Sequence, residues 1–282
     1  MASSTPTPEF FNLTFPGSQT AVVEINRPSK LNSFTEPMFH SLGQIFSSLS
    51  TNPEVRCIIL TAAGTRAFTA GLDVTAASTS GPLATAAPTM DPARKAFRLR
   101  RHILELQGCV SQIEKATQPV IGVFHGISYG LAIDIATCCD IRICSSDVRF
   151  SVKEVDIGLA ADVGTLTRIV KAGLPMSFVK DVCLTARDFG AQEALRVGFV
   201  SEVCEGKEAA VARAREIAAS IGSKSPVAVG TTKEVVNFSR DHSVEDGLKY
   251  IAIYNAAMLQ TKDVDSAMLA GIRKTKPTFS KL

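Results

Sequence analysis

Residues 119–146 read PVIGVFHGISYGLAIDIATCCDIRICSS. The opening eight are mostly apolar and rich in β-branched side chains, as a strand buried on both faces requires. A turn between two glycines follows, then residues 131–139 (LAIDIATCC) read as a short apolar helix and 140–146 return as a strand. Strand, helix and strand at this spacing make a βαβ unit, with parallel strands bridged by a crossover helix.

The pattern extends outward in both directions. Residues 19–26 are a first strand ending in the turn chemistry of Arg27, Pro28 and Ser29, and residues 55–62 are a second buried strand. Met38, Leu42, Ile45, Phe46 and Leu49 mark one face of a helix over about 36–49, and 92–115 is a long helix. Residues 1–18, with clustered Ser, Thr and Pro, are expected to be a loose arm, and 75–91 a long mobile loop able to cover a site. Beyond 209 the chain turns helical, over 209–221, 227–237, 244–259 and 264–272. The expected organisation is an α/β core over 1–205 carrying the site and a helical lobe over 206–282.

A chain of 282 residues can bury a large core, and 45% hydrophobic with 20% charged residues is a globular composition. A formal charge of +3, with no dense Lys/Arg block before residues 273–281, argues against a nucleic-acid partner. No apolar stretch of about 20 residues is free of charge, so no membrane span is expected. Seven cysteines without metal-type spacing read as reduced, buried thiols, and no metal site is expected. Residues 1–26 hold no Lys or Arg, against a secretory or transit leader, whereas Ser280-Lys281-Leu282 has the form of a peroxisomal address read by the import receptor.

Residues 126–130, GISYG, match the G-x-S-x-G of a hydrolase nucleophile elbow between a strand and a helix. That chemistry needs an acid and then a histidine downstream, and His242, in the polar turn SRDHS, is the only histidine after Ser128. Ser128 is better read as a small polar residue in a tight turn, and His125 as packed or bonded locally.

Three carboxylates interrupt apolar surroundings: Asp134 inside the short helix, then Glu154 and Asp162 in SVKEVDIGLAADVGTL. Each has a bland explanation: a buried ion pair for Asp134, a solvated charge at a strand end for Glu154, and a helix N-cap for Asp162. Asp156 reads as closing a turn before Gly158, and Asp140 as starting a strand. Together, the three near element ends look like acid/base groups lining an apolar cleft. A place for developing negative charge also exists, because a helix beginning near Gly130 leaves the Leu131 amide without an acceptor, and Gly71 leaves that of Leu72 available.

The runs INRPSKLNSF (25–34), AFTAGLDV (67–74), 118–143 and FSVKEVDIGLAADVGTLTRIV (150–170) resemble the enoyl-CoA hydratase/isomerase, or crotonase, superfamily over about residues 10–275. The segment around VKEVDIGLAADVGTL is most similar to Δ3,5-Δ2,4-dienoyl-CoA isomerases, which carry Asp, Glu and Asp where this chain has Asp134, Glu154 and Asp162. The resemblance implies a spiral of ββα units binding an acyl-CoA thioester, with a C-terminal helical lobe that helps form trimers or hexamers. It implies oxyanion donors at the Leu72 and Leu131 amides and a substrate surface including Lys30, Leu31, Ala70, Gly71, Asp73 and Gly130. Leu131 and Ala132 stand where many relatives have Gly, which leaves the backbone donor but narrows the acyl channel.

Moving double bonds from 3,5 to 2,4 removes a proton at C2 and adds one at C6 through a dienolate. Glu154 is expected to be the C2 base and Asp162 the C6 acid, in roles that could be exchanged, with Asp134 orienting the site. No cofactor is called for beyond the CoA of the substrate. The rival readings are a 2-enoyl-CoA hydratase and a non-catalytic acyl-CoA-binding protein.

Overall fold

The computed structural model describes residues 9–17, 19–80 and 90–282. Strands β1 (Phe11–Thr14), β2 (Thr20–Ile25) and β3 (Cys57–Ala62) enclose helix α1 (Glu36–Ser50) in the chain; β4 (Ala67–Thr69), α2 (Val74–Ser80) and α3 (Pro92–Lys115) follow. Next come β5 (Val120–Phe124), β6 (Ile127–Tyr129), α4 (Leu131–Cys138), β7 (Ile141–Ser145) and β8 (Arg149–Ser151), then α5 (Thr165–Arg168) and α6 (Met176–Thr185). The chain closes with β9 (Phe189–Gly190), α7 (Ala191–Val197), β10 (Glu202–Cys204), α8 (Lys207–Gly222), α9 (Pro226–Arg240), α10 (Val244–Met258) and α11 (Asp263–Arg273).

The strands form a six-stranded sheet, β1-β2-β3-β5-β7-β10, and a four-stranded one, β4-β6-β8-β9. The pairs β3/β4, β5/β6 and β7/β8 each give the first strand to the large sheet and the second to the small one before the chain turns helical. This is the ββα spiral that the resemblance implied. The simple βαβ reading of 119–146 missed β6: residues 127–129 form a strand parallel to β4 and β8, not a turn. Three residues are too short a run for periodicity to reveal.

The central strands β2, β3, β5 and β7 are parallel, and β3 is buried along its whole length, so helices must cover both faces. On one face α1 supplies Met38, Phe39, Leu42, Ile45, Phe46 and Leu49 to the main core. On the other, Ala210, Ala214 and Ala218 of α8 meet Val22, Ile59, Ile121, Val123 and Ile143. α8 thus packs on the sheet, although residues from 206 on were expected to form an appended lobe. Around the small sheet, Phe68, Phe124, Phe150, Phe189 and Phe199 form a chain of ring contacts 4.6–5.8 Å apart. Each of these fully buried rings contributes about 2–3 kcal/mol through area burial.

Two expected irregular segments are partly ordered. Phe11–Thr14, within the expected arm, pairs antiparallel with β2, and Val74–Ser80, overlapping the start of the expected loop, is helical. Residues 1–8, 18 and 81–89 of those two segments lie outside the described residues. All seven cysteines are free thiols, five of them buried.

Candidate active site

Strands β6 and β8 lie side by side with Tyr129 opposite Ser151, and the Gly130 amide donates to the Ser151 carbonyl at 2.9 Å. The chain leaves these neighbouring strand ends into α4 on one side and into a 3₁₀ turn, Glu154–Ile157, on the other. Gly130 has φ +53°, and a Cβ there would lie 3.1 Å from Glu154 Oε1. A glycine is needed both for the left-handed backbone and for the close approach of the carboxylate.

Gly71, at the end of the segment following β4, sits against the same point. Its φ is +94°, and a Cβ on it would lie 3.7 Å from the Leu131 amide nitrogen and 3.8 Å from the Gly130 Cα. The amides of Leu72 and Leu131 therefore belong to adjoining backbone, and neither donates to another group among the described residues. Leu131 also opens α4, where the first-turn amides carry the positive end of the helix dipole. Two unclaimed amides beside a carboxylate have the makings of an oxyanion hole next to a base.

Glu154 is not the solvated strand-end charge of its bland reading. Its Oε2 is buried without a hydrogen-bond partner among the described residues. Burial pushes its pKa above the usual carboxylate range, and the negative charge of Asp162 pushes the same way. Asp162 itself is exposed, and its backbone carbonyl accepts from Gln107 Nε2 at 2.6 Å. It lines a cleft of about 650 Å³ with Gln107, Val163 and Leu166, and Glu154 is not among the walls of that cleft.

The N-cap expected of Asp162 is made elsewhere. α5 starts after Gly164, and the Thr165 amide donates to Asp134 Oδ1 at 2.6 Å. A carboxylate on α4 thus holds the N-terminus of α5, fixing the end of the loop that carries Asp162. Asp134 is 2% exposed, and burial pushes its pKa up to about 7, with Glu154 adding to the rise and Thr165 and Arg168 opposing it. Its folded-state carboxyl keeps its proton to higher pH than the unfolded chain, so this group's contribution to stability is present below about pH 4 and lost as pH rises to about 7. Asp134→Asn keeps the acceptor for Thr165 and should remove this fall, at roughly 1.4 kcal/mol per pH unit between the two values. Urea melts of both proteins from pH 4 to 8 check it.

Of the expected substrate-binding residues, Lys30 is exposed and Leu31 is left-handed at φ +51°. The Ala70 amide donates to the Leu31 carbonyl at 2.9 Å, tying that segment to the end of β4. The Asp73 carboxylate accepts from the Ala76 amide at 3.0 Å and pairs with Arg27 at 2.7 Å, which holds its pKa down. It braces the backbone around Leu72.

Asn32 was missed. It is 1% exposed with φ +54°, accepts from the Arg27 amide and donates to the Ala63 and Ala67 carbonyls at 2.8–3.0 Å. Its carbonyl accepts from Thr69 Oγ1 at 2.7 Å, so one side chain and its backbone fasten the 27–34 turn to β4. The polar residue inside the turn stretch INRPSKLNSF was the available signal. Asn32→Leu should cost about 3 kcal/mol in denaturant unfolding, from three side-chain bonds at about 1 kcal/mol each.

The hydrolase elements do not meet. Ser128 is fully buried in β6 with its hydroxyl on the His125 carbonyl at 3.4 Å. His125 is fully buried with neither ring nitrogen bonded among the described residues, and burial pulls its pKa down to about 4. His242 is exposed and stacks on Phe238. Asp156 is exposed beside Lys153 at 3.5 Å, before left-handed Gly158, while Asp140 accepts from the Val120 amide and from Lys233, both at 2.7 Å. Among the described residues no group of three or more His, Cys, Asp and Glu is placed to hold a metal ion.

Residues 17–281 match the enoyl-CoA hydratase/isomerase family. The chain is 41% identical over 258 residues to the peroxisomal Δ(3,5)-Δ(2,4)-dienoyl-CoA isomerase of Arabidopsis thaliana, covering 92% of this chain and 91% of that one. It is 40% identical over 268 residues to the mitochondrial Δ(3,5)-Δ(2,4)-dienoyl-CoA isomerase of Homo sapiens, covering 92% and 79%. A crystal structure of an enoyl-CoA hydratase from Bacillus anthracis superposes with a TM-score of 0.86 over 96% of this chain and 99% of that one, at 23% identity, a likeness of fold.

Proposed function

The chain belongs to the enoyl-CoA hydratase/isomerase family, and from that premise we propose that it converts 3,5-dienoyl-CoA into 2,4-dienoyl-CoA in the oxidation of unsaturated fatty acids. The relatives at 40–41% identity that carry this activity in their names support the reading. The observation that carries it in this chain is the placement of Glu154: a half-buried carboxylate with one unbonded oxygen, beside the unclaimed Leu72 and Leu131 amides.

The C2 proton of the substrate sits on the carbon bonded directly to the thioester carbonyl carbon. A base for C2 must therefore lie next to the group that holds the carbonyl oxygen, and Glu154 does. Its raised affinity for protons suits it to accept this one, while the two amides stabilise the negative oxygen of the dienolate. Asp162 delivers a proton to C6, and the electron pair moves from the C2–H bond through the diene to form the new C6–H bond. Each turnover leaves Glu154 protonated and Asp162 ionised, and solvent restores both. The reaction calls for no redox cofactor, since no electrons are gained or lost overall. Hydration would use a second acid to place water, whereas Asp134 is engaged with the Thr165 amide.

The direct test is a 3,5-dienoyl-CoA with the purified protein. The absorbance of the conjugated 2,4-dienoyl thioester should grow, without release of free thiol. Consumption of crotonyl-CoA with no action on the diene would instead establish the hydratase. Binding of acyl-CoA without turnover of either would establish a non-catalytic protein.

Assembly into trimers or hexamers is supported by the apolar residues that α10 and α11 leave exposed, among them Val244, Leu248, Ile253, Met268 and Ile272. Light scattering should report a multiple of three times the 30.0 kDa chain mass. A peroxisomal location, through the import receptor, rests on Ser280-Lys281-Leu282 and on the Arabidopsis relative, against mitochondrial relatives in mammals. In the folded chain Arg56 holds the Phe279 carbonyl at 2.7 Å and Glu54 pairs with Lys281, so the tail must lift from that surface to be read.

A further inference from the structure

Tyr129 directly precedes Gly130 and Leu131, and Lys153 directly precedes Glu154. Both side chains turn to the same carboxylate, on the segment between α6 and β9. Tyr129 Oη donates to Asp188 Oδ2 at 2.6 Å, and Lys153 Nζ lies 3.3 Å from Asp188 Oδ1. Lys153 Nζ also donates to the Ala186 carbonyl at 2.8 Å and sits 5.2 Å from the centre of the Tyr129 ring. Ser151 Oγ donates to that same carbonyl at 2.7 Å, and Ala186 is left-handed at φ +51°, a conformation that turns its carbonyl to both donors.

We propose that Tyr129, Lys153 and Asp188 are positioning residues that set the separation between the Leu131 oxyanion amide and Glu154, by tying the ends of β6 and β8 to one carboxylate. This rests on the reading of Glu154 as the C2 base. The neighbouring strand ends share backbone bonds only up to Gly130 and Ser151, so beyond that point the two functional residues depend on side chains for their relative placement. A charge-assisted bond from a phenol to a carboxylate is short and directional, and it fixes the donor's backbone better than an exposed ion pair does. Tyr129 stays protonated, its pKa pushed up to about 12 by burial and by Asp188, so it remains a donor at any physiological pH. The Lys153 ammonium is drawn to Asp188 and Asp156, so that Glu154 keeps its raised proton affinity with a cation next to it in sequence.

The test uses Tyr129→Phe, Asp188→Ala and the double variant in the full-length protein, with thermal melting, octanoyl-CoA binding and kcat on 3,5-dienoyl-CoA. Small misplacements of reacting groups cost roughly 10-fold to 100-fold in rate, so each single variant should lose about tenfold in kcat. Melting and octanoyl-CoA affinity should stay near those of the parent, and the double variant should be no worse than Asp188→Ala, because both changes break one bond. Lys153→Arg, which keeps a cation for Asp188, should retain most of the activity. An unchanged kcat in both single variants overturns the proposal, as do losses that multiply in the double variant or that follow octanoyl-CoA affinity. An unmodified protein inactive on the diene would overturn the reading of Glu154 as well; an active one with unaffected variants overturns the clamp alone.

Discussion

Glu154→Gln should lower kcat on 3,5-dienoyl-CoA by about 10³-fold, within the range of ~10²–10⁴ that a positioned general base supplies. Glutamine fills the same volume beside Gly130, so folding and acyl-CoA binding should persist while the basic oxygen is gone. The parent enzyme should show an acid limb in its pH–rate profile lying above the ordinary carboxylate range. Burial and the Asp162 charge both raise Glu154, and only its ionised form can take the C2 proton. That limb should vanish in the variant. A glutamine variant with more than a tenth of the parental kcat would place the base elsewhere.

Asp162→Asn carries the second large effect, about 10²-fold to 10³-fold in kcat, because it removes the C6 proton donor and leaves the C2 base. The two variants differ in what they exchange with solvent. In D₂O, Asp162→Asn should still wash deuterium into C2 of unreacted substrate, since Glu154 and the two amides remain, but form little 2,4-diene. Glu154→Gln should do neither. Mass spectrometry of recovered substrate separates the cases, and the reverse pattern would exchange the roles of the two acids. Asp162 is exposed, and its backbone carbonyl accepts from Gln107.

Asp134 shows how residue chemistry and placement divide the problem. A carboxylate inside LAIDIATCC needed a reason on energetic grounds, and a hydrogen bond to backbone was among the bland explanations. The partner proved to be the Thr165 amide, 31 residues away, and the cap first assigned to Asp162 belongs to Asp134. Asp73 shows the same division, because its carboxylate pairs with Arg27, 46 residues earlier. Asn32 was overlooked because a buried asparagine and one in an open turn look the same as letters.

By itself the order of residues determined the α/β class, most strands and helices of the core, and the three carboxylates that set this chain's chemistry apart. Those properties live in periodicities of two and 3.6 residues and in the cost of placing a charge among apolar neighbours, which short windows contain. Only the tertiary structure decided that the strands divide into two sheets through three-residue β6, that Glu154 stands against the free amides, and that Tyr129 and Lys153 share Asp188. Proton affinity depends on solvation and on charges a few ångströms away. Some of those neighbours come from far along the chain, as Asp188 does for Tyr129, and the fold brings them together.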